Sequence, residues 1–193
     1  MSDPQMVVRA AAPLVEIIRH VKPDQLDSPT PCAEYDVRKL VNHLLFWGPS
    51  LAGAGRKKTV PPPARSETEL DLTGPDWAAA LTAQVEGIVA AWAEPAAWTG
   101  TTHMGGPTEL PAALVGGMVV SELVVHAWDL ARATEQQPDW DGELLGYVHD
   151  EVGRTAEQGR QMGVYGPEVE VPETAPTLDR ILGQVGRDPG WPR

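Results

Sequence analysis

The stretch from Pro111 to about Thr134 constrains this chain most. Leu114, Val115, Met118, Val119, Val120, Leu123, Val124, Val125, Trp128 and Leu130 make it apolar nearly all round a helix. A helix that apolar on most faces belongs in the middle of a bundle, with other helices around it. Three polar residues interrupt it. Glu122, His126 and Asp129 stand at i, i+4 and i+7, which puts them one turn apart on one face. Burying such groups without partners costs several kcal/mol, so the rest of the fold must bring partners to them.

Helical periodicity recurs on both sides of this segment. A first helix is expected from about Gln5 to Val21, with Val8, Ala11, Ala12, Val15 and Ile18 on one side; Pro13 should bend or split it. A second opens at Asp36, a good N-cap, and continues as the stripe Val37, Leu40, Leu44, Trp47 and Leu51 until Gly53 and Gly55 end it. A third starts with Asp76 as N-cap and runs to about Ala93. The apolar fourth helix takes Pro111 into its first turn. A fifth follows Asp141, from about Gly142 to Met162, and a short sixth spans about Leu178 to Val185.

The connections read differently. Lys58 to Pro75 contains Pro61-Pro62-Pro63 and Gly74-Pro75 and is a surface crossover. Pro95 to Thr108 is irregular, and Val164 to Pro176 reads as an extended tail packed on the body. Strand signals are weak, because Glu168-Val169-Glu170-Val171 alternates but is short and flanked by Pro167 and Pro172. The fold expected is all-α: a four-helix bundle forming a single domain over 1–193, with an irregular C-terminal tail from about 163 and a short terminal helix.

Composition narrows the function. Apolar residues are 42% and charged residues 22%, as in ordinary soluble globular proteins. No uninterrupted apolar run reaches the roughly 18 residues of a membrane span, and Met1-Ser2-Asp3-Pro4 lacks the basic start of a signal peptide. One cysteine, Cys32, cannot form an internal disulfide, which favours the cytoplasm. The net charge of −12, with Arg56-Lys57-Lys58 as the basic cluster, argues against nucleic acid. A small-molecule partner is expected, no membrane, and a homodimer is compatible with the sequence.

The chemistry centres on the interrupted helix. His43 lies between Leu40 and Trp47 on or near the second helix's apolar stripe, so it can point inward. A His from one helix with Glu122 and His126 from another makes a three-ligand set that zinc takes readily, with a fourth position left open. Each part alone is ambiguous. A lone His on an apolar stripe is more often a hydrogen-bonded core residue, and an isolated Glu-x-x-x-His is commoner as a surface pair. Asp129 is placed to hold a ligand imidazole in its tautomer and is the candidate for a catalytic supporting role. His103, in the loop before the fourth helix, either edges a pocket or is a plain loop residue. His20 complements the end of the first helix, His149 faces solvent, and Cys32 is a packed residue rather than a nucleophile. No Gly-rich phosphate loop or Gly-x-Ser-x-Gly elbow is present.

Ser28 to Leu44, with Thr30-Pro31-Cys32 leading to Tyr35-Asp36-Val37-Arg38 and His43, resembles the first motif of the actinobacterial DinB-like metal-binding proteins. These are related to the N-terminal domain of mycothiol-dependent maleylpyruvate isomerase. Glu122 to Thr134 resembles the family's second motif, and Asp179-Arg180-Ile181-Leu182 with Gly186-Arg187-Asp188-Pro189 matches its tail in style. The resemblance implies a DinB-like four-helix bundle, a divalent metal held by His43, Glu122 and His126, and mycothiol as a thiol co-substrate. The isomerase also carries a C-terminal domain that supplies a catalytic arginine. Only about thirty residues follow the fifth helix here, so the resemblance carries the metal and thiol chemistry without that domain.

The leading expectation is a metal-dependent enzyme that activates mycothiol for transfer to a small electrophile, in a pocket walled by Trp47, Trp128 and the loop around His103. Alternatives are a metal-dependent isomerase or hydrolase on the same scaffold, or a non-catalytic metal- or small-molecule-binding stress-response domain. Whether Ala96 to Leu110 and Lys58 to Pro75 leave the site open separates these readings.

Overall fold

A computed structural model describes residues 4–192. Met1-Ser2-Asp3, on which part of the leader expectation rests, lies outside the described residues. Six α-helices follow in order: α1 Pro4–His20, α2 Val37–Gly55, α3 Trp77–Trp92, α4 Ala112–Ala133, α5 Gly142–Gln161 and α6 Thr177–Gln184. Helix α4 is the central element. It packs on α1, α2 and α5, while α3 closes against α1 and α2, and α6 lies on α5. The architecture is the all-α helical bundle expected from the periodicity.

The core explains the arrangement. Val115, Val120, Val124, Ala127, Leu130 and Ala131 of α4 are 0% exposed, as are Leu14 of α1, Leu40 of α2, Trp92 of α3 and Leu144 of α5. Burying one such large side chain contributes about 1.5–3 kcal/mol, so α4 joins the layers. By length and composition α4 could also cross a membrane, but 78% of its most apolar window is buried inside the protein. Its polarity pattern is that of a core helix.

Local signals set most boundaries. The Asp36 carboxylate accepts from the backbone N–H of Lys39 at 2.8 Å and starts α2. Asp141 accepts from Glu143 and Leu144 and starts α5, while also pairing with Arg9 of α1. Asp76 precedes α3 but makes no side-chain cap. Pro111 sits just before α4 rather than in its first turn. Pro13 does not split α1: it removes one ladder bond, and the buried Leu14, Ile17 and Ile18 beyond it anchor the rest of the helix in the core. Helix α2 ends at Gly55 with Gly53 in its last turn, where the two glycines are expected to stop it.

The stretch read as irregular before α4 holds a small antiparallel hairpin, β1 Thr101–His103 with β2 Glu109–Pro111, in the register Thr102 opposite Leu110. Thr102 donates its hydroxyl to the carbonyl of Ala54 at 2.6 Å, tying the hairpin to the end of α2. Among the described residues, Glu168 to Val171 forms no strand.

Candidate metal centre

Two helices bring the three candidate ligands together. His43 stands in the middle of α2, and Glu122 and His126 stand one turn apart on the α4 face that α2 covers. The two imidazole rings meet edge to face, 5.1 Å between centroids. Nε2 of His126 is 3.1 Å from Glu122 Oε2, and Nε2 of His43 is 3.8 Å from the same oxygen. One ligating atom from each residue lies within 4.8 Å of the others. Ligand atoms around a tetrahedral ion with bonds of about 2.0–2.1 Å stand roughly 3.4 Å apart, so the donor set fits one divalent cation. His126 is buried and Glu122 keeps 30% of its side chain exposed, which leaves an approach from one side.

The far nitrogens decide which way the rings present themselves. Nδ1 of His126 is 3.1 Å from Asp129 Oδ2, and Nδ1 of His43 is 3.0 Å from Glu67 Oε1. A carboxylate on each Nδ1 keeps a proton there and aims both Nε2 atoms at Glu122, to which they donate when protonated and beside which their lone pairs would meet an ion when they are not. Asp129 is thus found where the helical spacing puts it. It is fully buried and pairs also with Arg187.

Glu67 carries no distinguishing signal in the sequence. It lies in the short turn Glu67–Glu69 of the crossover between α2 and α3. Its carboxylate accepts from Trp47 Nε1 at 2.7 Å and from the Tyr35 hydroxyl at 3.3 Å, besides His43. Asn42, beside His43, holds that crossover: its amide donates to the Glu67 carbonyl at 3.0 Å, and its oxygen accepts from the Leu72 N–H at 2.7 Å. The crossover is therefore tied to the candidate site through Asn42 and His43. Arg187, from the tail, is a second residue the spacing could not reveal.

Electrostatics follow from these contacts. In the metal-free chain, burial pushes the His43 imidazole down, but hydrogen bonds and charge from Glu122 and Glu67 overcome it and raise its pKa to about 9. His126 is also raised: burial opposes its charged form, and Glu122 and Asp129 outweigh that. Burial alone would raise Glu122, yet the two imidazoles hold it well below the ordinary carboxylate range. Burial and the Glu122 charge push the Tyr165 phenol up to about 12.

The remaining candidates do not converge here. Among the described residues, His103 faces the Thr108 carbonyl at 3.2 Å across the hairpin, His20 the Glu16 carbonyl at 2.8 Å, and His149 lies near Asp150 at 3.8 Å. Cys32 is buried, and burial pushes its thiol up, away from thiolate character. Lys57 of the basic cluster is committed to the Ala97 and Thr99 carbonyls.

The model of one protein family, the mycothiol maleylpyruvate isomerase N-terminal domain, matches residues 7–131. The chain belongs to that family. The match to the mycothiol maleylpyruvate isomerase N-terminal domain runs from α1 through nearly all of α4, so it includes His43, Glu67, Glu122, His126 and Asp129. Two uncharacterized proteins of Mycobacterium tuberculosis, MT0763 and Rv0738, are each 31% identical to it over 191 residues, 96% of this chain and 98% of theirs. The fold is shared with crystal structures of the mycothiol-dependent maleylpyruvate isomerase and of a histidine-to-alanine mutant of it. Their TM-scores are 0.61 and 0.63 at 14% and 13% identity, covering 88% of this chain and 75% of each of those.

Proposed function

We propose that this member of the mycothiol maleylpyruvate isomerase N-terminal domain family is a metal-dependent enzyme that activates a low-molecular-weight thiol, mycothiol, for transfer to a small electrophile. The observation that carries the reading is the paired arrangement of the histidines. Both Nδ1 atoms face carboxylates, and both Nε2 atoms face Glu122. His43, Glu122 and His126 would hold the ion, zinc by the character of the donor set. A divalent ion there would supply the Lewis acidity that favours a thiolate over a thiol near neutral pH.

The chain's own residues do the rest. Glu67 and Asp129 keep the imidazoles in the tautomer a ligand needs. Glu122 balances charge and, being partly exposed, marks the side from which substrates arrive. Trp47, fixed by its bond to Glu67, offers an apolar wall beside the imidazole of His43. Cys32 takes no part, because the thiol is supplied from outside. A role that uses a free thiol fits a reducing cytoplasm. Isomerisation is the second reading, favoured by the shared fold with a mycothiol-dependent isomerase.

The test is a conjugation assay on zinc-loaded protein with mycothiol and with glutathione, across a broad panel of electrophiles. Turnover is expected with mycothiol, lost on chelation and in His126→Ala. No turnover with either thiol across the panel overturns the reading.

A further inference from the structure

Arg187 and Asp129 form the most deeply buried ion pair among the described residues, with side chains 7% and 0% exposed. The Arg187 Nη2 donates to Asp129 Oδ2 at 3.1 Å, Nε approaches Oδ1 at 3.5 Å, and Nη1 donates to the Val185 carbonyl at 3.1 Å. Oδ2 is the same oxygen that faces His126 Nδ1 at 3.1 Å. One carboxylate oxygen thus joins the guanidinium of the tail to the imidazole of the centre. A buried ion pair is a poor source of stability: desolvating each charge costs several kcal/mol, and apolar replacements are often neutral.

The backbone that delivers Arg187 is built for it. The N–H of Arg187 returns to the Leu182 carbonyl at 2.8 Å, and that of Gly186 to the Gly183 carbonyl at 3.1 Å. These two bonds make a Schellman turn at the end of α6. Gly186 takes the left-handed conformation, φ +80°, and a Cβ there would come within 2.8 Å of the Gly166 backbone. Only glycine lets the tail turn and close at this point, and the next residue is the arginine that enters the core.

We propose that Arg187 is a positioning residue of the metal centre: acting through Asp129, it holds the His126 ring with Nε2 toward Glu122, so that the docked tail completes the site. This rests on reading His43, Glu122 and His126 as a metal centre. The family match ends at residue 131, so the tail's share in the site goes beyond it.

The experiment measures zinc dissociation constants by competition with a chromophoric chelator, and melting temperatures, for the full chain and its variants. Arg187→Met and Asp129→Asn should each weaken zinc binding by about 10–100-fold. The double variant should be no weaker than the worse single one, because both act on the same ring. Arg187→Lys should recover part of the loss, and stands in if Arg187→Met does not fold. Arg160→Met is the structural control. Arg160 also anchors the tail, through the Gln184 carbonyl at 2.9 Å, but touches none of the centre's residues in the described contacts. It should lower the melting temperature and leave zinc affinity within about twofold. Zinc affinity unchanged in Arg187→Met, or in Arg187→Lys where that variant stands in, overturns the positioning role, as do additive losses in the double variant. Unchanged zinc binding in His126→Ala overturns the centre itself.

Discussion

Replacing Glu67 removes the single acceptor on which three donors converge. Trp47 Nε1 at 2.7 Å, His43 Nδ1 at 3.0 Å and the Tyr35 hydroxyl at 3.3 Å all reach its carboxylate. A hydrogen bond to a charged acceptor contributes about 1.5–3 kcal/mol when buried. Glu67 and His43 are 23% and 17% exposed, so water replaces part of that. Glu67→Ala should therefore cost about 2–4 kcal/mol in all. At about 3 °C per kcal/mol for a domain of this size, the melting temperature should fall by roughly 6–12 °C. Zinc affinity should fall separately, by about 10–100-fold, because His43 loses its charged partner and keeps at Nδ1 only the Tyr35 hydroxyl at 3.1 Å. Glu67→Gln keeps the volume but places an NH2 group among donors, so it should lose affinity almost as fully while melting closer to wild type. Calorimetry on metal-free and zinc-loaded protein, with chelator competition, separates the two effects. Zinc affinity unchanged in both variants would refute a role for the crossover in the centre.

Acidity gives another check. In the metal-free protein His43 has its pKa raised to about 9, so its contribution to stability is fully present below the ordinary imidazole value of about 6.5 and is lost as pH rises through about 9. A metal ion must displace that proton, so zinc affinity should rise roughly tenfold per pH unit for each proton released between about pH 6 and 8; an affinity flat across that range contradicts the protonation scheme. Cys32→Ser should leave thiol-transfer turnover unchanged and cost about 1–2 kcal/mol in chemical denaturation, because a hydroxyl replaces a buried thiol. Loss of turnover in folded, zinc-loaded Cys32→Ser would mean the protein supplies its own nucleophile.

The parts of the candidate centre that lie on regular helices are legible in the sequence, as far as their convergence goes. Glu122, His126 and Asp129 were visible because helical spacing aligns them and an apolar helix makes any polar residue conspicuous. His43 was visible because it interrupts a stripe. Glu67 was not, since it sits among Ser66, Thr68 and Glu69 in a proline-rich crossover where one more acidic residue carries no signal. Arg187 was hidden for a different reason. Its pairing with Asp129 spans 58 residues and depends on the turn at Gly186. The hairpin before α4 was missed because its strands are three residues each, too short to show alternation. Pro13 leaves α1 unsplit because a proline penalty is local, whereas the packing of Leu14, Ile17 and Ile18 is shared with neighbouring helices.

The central claim is that His43, Glu122 and His126 hold one divalent ion. The most direct measurement is metal content per chain, by elemental analysis of protein loaded with zinc and freed of excess ion, for wild type, His43→Ala, Glu122→Gln and His126→Ala. The account predicts about one ion per chain in wild type and near zero in the three variants, each still folded by circular dichroism. Full metal content in the two histidine variants, or no uptake by the wild-type chain, would contradict it.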